Sequence, residues 1–248
     1  MELHDFFAKN PKIALAFSGG VDSAYLLYAA KKFASDATAY YVKTAFQPEF
    51  ELRDAKRLAE ELGAKMKIIE LDVLCDREIT KNPGNRCYYC KKRIFTAIAD
   101  AAREDGYDLI IDGTNASDDA ADRPGIRALQ ELSVRSPLRE CAITKAEVRS
   151  LSREAGLFTW DKPAYACLAT RIPTGESITA EKLSRTERAE EYLESLGFRD
   201  FRVRLMGESA KIQIRAEQLL LLLKHRIEIV EELKNYYPAV LLDLEVRK

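Results

Sequence analysis

The stretch Ser18-Gly19-Gly20-Val21-Asp22-Ser23 constrains this chain more than any other. It follows the apolar run Lys12–Phe17 and opens a segment, Ala24 to Phe33, whose apolar positions recur at helical spacing. The order is strand, glycine turn, helix. Adjacent glycines let the backbone turn sharply and approach a ligand with no side chain in the way, while the unpaired amides of the following helix point at an anion. Ser18 and Ser23 add hydroxyl donors, and Asp22 offers oxygen to Mg²⁺, a hard cation that bridges to phosphate. The bland alternative is an ordinary tight turn. A serine–glycine–glycine turn with aspartate and serine at the helix start favours the phosphate cradle. No G-x-x-x-x-G-K-[ST] run occurs, so the lysine that Walker loops extend to the β/γ-phosphates is missing from the loop.

Beyond the first helix, strand and helix signals alternate. Ala37–Val42 is β-rich, a charged amphipathic helix is expected from about Pro48 to Leu62, and Gly63 ends it. Lys65–Leu71 reads as a third strand and Tyr107–Ile111 as a fourth. Such alternation implies right-handed crossovers and a parallel sheet covered on both faces, with ligands bound beyond the carboxyl ends of the strands. The fourth strand runs into Asp112-Gly113-Thr114-Asn115-Ala116-Ser117-Asp118-Asp119, then Asp122-Arg123-Pro124-Gly125-Ile126-Arg127. Gly113 permits a tight turn at a strand end, Thr114 and Asn115 offer polar contacts, and Asp118 is suited to Mg²⁺ or an arginine. The alternative is an Asx-type turn capping a helix; a position on the same sheet edge as the glycine loop favours a ligand site.

Ser136-Pro137-Leu138 reads as a short extended piece, followed by a helix from Thr144 to Ala155 with Thr144 as N-cap and Glu147 completing a capping box. From Lys162 to Gly175 prolines and glycine break regular structure, which sets the expected boundary between a domain over 1–175 and a small α+β domain over 176–248. In the latter, a charged helix from Thr179 to Leu196 stops at Gly197. A hairpin follows, with Phe201–Met206 and Ala210–Ile214 alternating about a Gly207 turn. One or two helices through Leu233 and a last strand over Ala239–Val246 complete it. Arg202 and Arg204 share a strand face, where paired guanidinium forks suit a phosphate and where arginines are otherwise simply solvated.

Composition removes several function classes. Thirty-nine basic against 40 acidic residues leave a net charge of -1, giving no global pull toward nucleic acid or a membrane surface. No secretory signal is expected in Met1–Asn10, and the leucine run Leu219–Leu223 stops at Lys224, far short of the ~18 apolar residues of a membrane span. A cytoplasmic protein is the expectation. Its 5 cysteines, Cys75, Cys87, Cys90, Cys141 and Cys167, argue for metal or redox chemistry over a disulfide framework.

Cys87-Tyr88-Tyr89-Cys90 heads a helix rich in lysine and arginine, where thiolates are electrostatically favoured. Structural zinc, a redox dithiol, an iron–sulfur site and a pair of inert cysteines all compete. Zinc normally takes four protein ligands, and the 2 histidines, His4 and His225, lie near the chain ends. A dithiol leaves Cys167 in its irregular loop without a role. Three thiolates suffice for a [4Fe-4S] cluster with one iron open to an exogenous ligand such as sulfide.

The glycine loop resembles the PP-loop of the N-type ATP pyrophosphatases, which cleave ATP between the α- and β-phosphates. Together with C-Y-Y-C, D-G-T-N-A-S-D, R-P-G-I-R-A, A-C-L-A-T-R-I-P-T-G and a late R-V-R strand, in that order over nearly the whole chain, it is similar to the LarE-type ATP-dependent sulfur transferases. The resemblance implies an α/β fold of the adenine nucleotide alpha hydrolase-like kind, with a parallel sheet flanked by helices and a small C-terminal α+β domain. It implies ATP and Mg²⁺, with Ser18, Gly19, Gly20, Asp22, Ser23, Gly113, Thr114, Asn115 and Asp118 around the nucleotide. It further implies that a carboxylate of pyridinium-3,5-dicarboxylate mononucleotide is adenylylated, releasing pyrophosphate. Sulfur then replaces AMP to give a thiocarboxylate of the nickel-pincer nucleotide, the cofactor of lactate racemase.

Members of that family divide by sulfur source. In one type the cysteine matching Cys167 gives up its own sulfur and becomes dehydroalanine. In the other, three cysteines hold a [4Fe-4S] cluster that carries transferable sulfide, and Cys87 and Cys90 place this chain with the second type, Cys167 being the third ligand. Cys75 and Cys141 match no motif and read as inert thiols. Arg202 and Arg204 are implied as ligands of the substrate phosphate, and Arg171 as a stabiliser of negative charge in transfer. An unknown sulfide donor and a homo-oligomer are implied, with no membrane or nucleic-acid partner. The other readings are a PP-loop tRNA thiolase, which needs a basic track for RNA, an amidating ligase, which leaves the cysteines unexplained, and an ATP-binding module without turnover.

Overall fold

The computed structural model describes residues 2–118 and 124–245. The chain divides into two compact units, one of residues 1–73 with 85–162 and one of 74–84 with 163–248.

In the first unit the alternation of apolar runs with amphipathic segments yields a parallel sheet. Its strands are β1 (Lys12–Ala16), β2 (Asp36–Lys43), β3 (Lys65–Glu70) and β4 (Ile110–Ile111), in spatial order β3-β2-β1-β4. Successive side chains of a strand point to opposite faces, and the sequence fills both. Ile13 and Leu15 of β1 join Ala37, Ala39 and Tyr41 of β2 in one core, whereas Ala14, Tyr40 and Val42 belong to the core on the other face. The first core is covered by α1 (Leu3–Lys9) and α2 (Val21–Phe33), with Leu58 of α3 (Glu49–Glu61) and Val148 of α8 (Lys145–Glu154). The second is covered by α5 (Arg86–Glu104) and α6 (Pro124–Glu131). Fully burying one such apolar side chain contributes about 1.5–3 kcal/mol.

Several elements differ from the sequence reading. α1 was not expected; Leu3, Phe6 and Phe7 bury one stripe of it in the core. α2 begins at Val21, so Asp22 and Ser23 lie in its first turn. The fourth strand shrinks to Ile110–Ile111 because the chain before it still closes α5: Tyr107 N donates to Ala102 O at 2.8 Å, and Gly106 is left-handed at φ 77°. Pro137–Leu138 is not extended but opens a helical turn, α7 (Pro137–Glu140), since proline at the first helical position is already at the required φ. The Thr144 N-cap and its reciprocal bonds with Glu147 are as expected.

The second unit holds α4 (Arg77–Thr80), α9 (Ala180–Ser195), α10 (Leu219–Lys224), α11 (Arg226–Leu233) and a mixed sheet of β5 (Arg202–Met206), β6 (Ser209–Gln213) and β7 (Val240–Leu242). β5 and β6 form the expected hairpin, turning at Gly207 with φ 58°, and β7 lies parallel to β6. Val246, the expected end of the last strand, lies outside the described residues. α9, the hairpin, α11 and Tyr237 enclose this unit's own core. The compact units change at Lys162/Pro163, and residues 74–84 join the second unit. The physical reason is hydrogen bonding: Asn82 Nδ2 donates to Ile172 O (3.2 Å) and Pro173 O (2.8 Å), Gly175 N to Asn82 O (2.9 Å) and Ile178 N to Thr80 O (2.8 Å). Among the described residues no helix is long and apolar enough to cross a membrane.

Candidate functional site

β1 lies between β2 and β4, so the loops leaving the carboxyl ends of β1 and β4 come from neighbouring strands on one edge of the sheet, where parallel α/β sheets bind ligands. The glycine loop occupies one side of it. Gly19 is left-handed at φ 72°, and a Cβ there would stand 3.2 Å from Ala55 Cβ of α3, so glycine is required. The two serine hydroxyls meet at 3.0 Å, and Ser23 Oγ also donates to Gly20 O at 3.1 Å. These bonds fix the loop against the first turn of α2, whose leading amides are the donors every helix leaves without intrahelical partners.

The loop after β4 forms the other side. A Cβ on Gly113 would meet Ser23 N at 2.9 Å and Ser23 Cα at 3.2 Å, so this glycine is what lets β4's loop touch the head of α2. Asn115 Nδ2 reaches Asp22 Oδ1 at 3.2 Å. Much of the remaining chemistry in the loop shapes the loop itself. Asp112 accepts from Thr114 N (3.2 Å), Thr114 Oγ1 (2.5 Å) and Ser136 Oγ (2.6 Å). Asn115 Oδ1 accepts from Ser117 N at 2.8 Å, and Asp118 Oδ2 from Asn115 N at 3.0 Å. The Asx-type turn expected as the alternative is thus present in this loop. An arginine does reach Asp118, but Arg139 bonds its carbonyl rather than its carboxylate. Asp119, Asp122 and Arg123 lie outside the described residues.

Lys145 was not singled out by sequence reasoning, which took its helix start as purely structural. It is the first residue of α8, and its Nζ lies 2.5 Å from Asp22 Oδ2. In the same unit, Cys87 and Cys90 stand on the first turns of α5. Cys87 is exposed with Arg86 Nη2 3.9 Å from its Sγ, and Cys90 is half-buried.

In the second unit Cys167 immediately precedes a 3-10 turn, Leu168–Arg171. The sequence reading made Arg171 a stabiliser of transferred charge. The structure engages its guanidinium inside the protein: Nε and Nη2 donate to the two oxygens of Glu190, each at 2.9 Å, and Nη1 donates to Ala166 O (2.6 Å), Cys167 O (3.3 Å) and Thr170 Oγ1 (2.9 Å). Arg171 is 1% exposed and Glu190 5%. Burial pushes the guanidinium down, but hydrogen bonding to Glu190 and its charge outweigh this, and the net direction is up. Arg171 thus ties the carbonyls of Ala166 and Cys167 and the Thr170 hydroxyl to Glu190 of α9. Glu190 also accepts from Tyr165 OH (2.6 Å) and Val203 N (2.8 Å), joining the loop to α9 and β5. Its signal was available: with Leu183, Thr186 and Leu193 it lies on the buried stripe of α9, where a lone carboxylate calls for a buried partner.

Arg202 and Arg204 hold the two ends of the same loop. Arg202 Nη2 donates to Ala164 O (2.6 Å) and Arg204 Nη1 to Thr170 O (2.5 Å), while Arg204 Nε donates to Gln213 Oε1 (2.6 Å). Neither is a freely solvated arginine. Among the described residues, no three His, Cys, Asp or Glu side chains are gathered to hold a metal ion.

No protein-family model matches this chain. An uncharacterised protein of Synechocystis is 39% identical over 98% of this chain and 92% of its own length. The pyridinium-3,5-bisthiocarboxylic acid mononucleotide synthase of Lactiplantibacillus plantarum is 35% identical over 82% of this chain and 74% of its own. The tRNA-specific 2-thiouridylase MnmA of Pseudothermotoga lettingae is 28% identical over 66% of this chain and 57% of its own. With a glycine loop at the switch point of a parallel sheet and this likeness along most of its length, the chain belongs to the LarE family of the PP-loop superfamily.

Proposed function

We propose that this protein is an ATP-dependent sulfurtransferase that converts a carboxylate of pyridinium-3,5-dicarboxylate mononucleotide to a thiocarboxylate, in assembly of the nickel-pincer nucleotide. The observation that carries the reading is the likeness to the Lactiplantibacillus plantarum synthase; likeness to thiouridylases covers less of the chain, and a net charge of -1 favours a small substrate over RNA. In the first half-reaction a carboxylate oxygen attacks the α-phosphorus of ATP, the bond to the bridging oxygen breaks, and pyrophosphate leaves. Ser18, Gly19, Gly20, Ser23, Gly113, Thr114, Asn115 and Asp118 form the nucleotide cradle, and Asp22 takes Mg²⁺. The first-turn amides of α2 offset the charge that develops on the departing pyrophosphate, and Mg²⁺ held by Asp22 would add to this when bound. In the second half-reaction sulfur attacks the acyl carbon and AMP departs, leaving the thiocarboxylate.

Arg202 and Arg204 are assigned to the substrate phosphate. Their present bonds to Ala164 O and Thr170 O support a coupling, since a phosphate entering the forks exchanges those bonds at both ends of the Cys167 loop.

Cys87, Cys90 and Cys167 are assigned to a [4Fe-4S] cluster, which when bound supplies sulfide from an external donor. The C-x-x-C pair on the first turns of α5 suits two of its ligands. The sacrificial route uses the chain alone: the Cys167 thiolate displaces AMP, a base removes the Cα proton, and the Cβ–Sγ bond breaks to leave dehydroalanine. The exposed apolar side chains Leu220, Leu223 and Ile227 support a homo-oligomer, checked by light scattering; a cytoplasmic location is part of the same proposal.

Mass spectrometry of the mononucleotide incubated with protein, ATP and Mg²⁺ tests the function; neither thiocarboxylate nor pyrophosphate from anaerobically purified protein with sulfide supplied would refute it. Cys167→Ala is expected to abolish the thiocarboxylate, and full activity in that variant eliminates both sulfur routes. About four irons per chain, lost in Cys87→Ala, is the expected signature of the cluster. A mass loss at Cys167 after turnover would instead identify the sacrificial route.

A further inference from the structure

The sheet of the second unit has one apolar and one polar face. Val203, Ala210 and Ile212 turn into that unit's core. In the hairpin Arg202 stands opposite Gln213 and Arg204 opposite Lys211, so these four side chains share the other face. Asp243, just past β7, is anchored beside them by the bond from its N to Ile212 O at 2.9 Å. Gln213 lies at the centre of this face. Its Oε1 accepts from Arg204 Nε at 2.6 Å, and its Nε2 donates to Asp243 Oδ2 at 2.7 Å. Lys211 Nζ reaches the same carboxylate at 2.8 Å. With hydrogen bonds from Lys211 and then Gln213, the Asp243 carboxyl is held down to about 2, so it is ionised at neutral pH. A guanidinium has no acceptor and an ionised carboxylate no donor, so only this orientation of the amide satisfies both neighbours.

Of the two arginines assigned to the substrate phosphate, Arg202 is buried at 5% exposure, whereas Arg204 is half-buried. Arg204 is gripped at Nε, and its other end points to the Cys167 loop, where Nη1 donates to Thr170 O at 2.5 Å. A guanidinium can meet a phosphate with its two Nη groups or with its Nε side, and the bond to Gln213 commits the second. An arginine without such a bond turns about its terminal torsions and has to be immobilised when the anion binds, a cost that pre-organisation removes. We propose that Gln213 is a positioning residue that aims Arg204: its amide, backed by Asp243, holds Nε and presents the Nη end to the substrate phosphate. Gln213 thereby sets how strongly the protein prefers a phosphorylated nucleotide over its nucleoside. The inference rests on the assignment of Arg204 to the substrate phosphate made above.

The test reads a ratio, in which any loss of folded protein cancels, and it needs no sulfur transfer. Initial rates of pyrophosphate release with Mg·ATP give kcat/KM for pyridinium-3,5-dicarboxylate mononucleotide and for the same compound without its 5′-phosphate. Full-length wild type, Gln213→Met, Arg204→Ala and the Arg204→Ala/Gln213→Met double variant are compared. Methionine keeps the length of glutamine and removes both hydrogen bonds. The preference for the phosphorylated compound is expected to fall about 2- to 10-fold in Gln213→Met, the equivalent of ordering one long side chain, and to fall through KM rather than kcat. It should fall further in Arg204→Ala, and the double variant should match Arg204→Ala, because Gln213 then has nothing to aim. Peptide-resolved hydrogen exchange over β5 and β6 checks that the sheet is intact. An unaltered preference in Gln213→Met, or an additive loss in the double variant, overturns the role of Gln213 while leaving Arg204 at the phosphate. A preference that survives Arg204→Ala, or a wild type that releases no pyrophosphate, overturns the earlier assignment and this inference with it.

Discussion

Replacing Glu190 with alanine removes the group on which the second unit converges. In the structure its two oxygens receive Arg171 Nε and Nη2, Tyr165 OH and Val203 N at 2.6–2.9 Å. Arg171, only 1% exposed, has no route to water once the carboxylate is gone. Breaking a buried ion pair from one side costs about 3–5 kcal/mol, a large part of the ~5–15 kcal/mol that holds a typical domain folded. Because the chain has two units, a single melting curve does not report this; hydrogen exchange read peptide by peptide does. Exchange over residues 163–175, α9 and β5 is expected to accelerate about a hundred- to several-thousand-fold. Exchange in β1 and β2 should stay unchanged. The Arg171→Met/Glu190→Leu pair should recover most of the stability, since apolar replacement of both partners is commonly near neutral. It should not restore sulfur transfer, because the bonds to Ala166 O and Cys167 O are lost. The guanidinium's folded-state pKa lies above its unfolded value, so its contribution is complete below the latter and fades only at extreme alkaline pH. Acceleration of less than about tenfold in Glu190→Ala, or equal acceleration in both units, would refute the reasoning.

Gly113→Ala places a Cβ 2.9 Å from Ser23 N and 3.3 Å from Asp22 C, backbone atoms that cannot swing aside; a loss of about 1–3 kcal/mol and weakened Mg·ATP binding are expected by peptide-resolved hydrogen exchange over β1 and α2 and by calorimetry, and an unchanged variant would contradict the packing of the β4 loop on α2. Burial pushes the Cys141 thiol up, so iodoacetamide near neutral pH should label exposed Cys75 and Cys87 before Cys141, as read by peptide mass spectrometry. Hydrogen bonds from Lys211 and then Gln213 hold the Asp243 carboxyl down to about 2 from 3.8. Its stabilisation of the β6–β7 edge is therefore full above pH 3.8 and lost as pH falls through about 2. Asp243→Asn should flatten that acid dependence in the exchange of β6, and an unaltered dependence would remove this carboxylate as its source.

Much of the fold and of the candidate site's composition was legible in the amino-acid order, because local rules write themselves into short stretches. The Ser18–Ser23 loop between an apolar run and an amphipathic segment, the alternating strands and helices, the Thr144–Glu147 capping box and the Gly207 hairpin all depend on neighbours in sequence. What escaped depends on neighbours in space. β4 was cut short because Tyr107 still closes α5, and residues 74–84 joined the second unit through the hydrogen bonds of Asn82, neither of which periodicity registers. Arg171, Arg202 and Arg204 were legible as cations, but not their bonds to the carbonyls of Ala164, Ala166, Cys167 and Thr170. Lys145 and Asp22 stand far apart in the chain and meet because parallel crossovers bring the start of α8 to the carboxyl edge of the sheet. The sequence alone determined which chemical groups the protein possesses and which local elements carry them. The tertiary structure decided which of those groups are neutralised inside the protein and which meet at the carboxyl edge of the sheet, because burial and long-range pairing arise only when distant segments pack together.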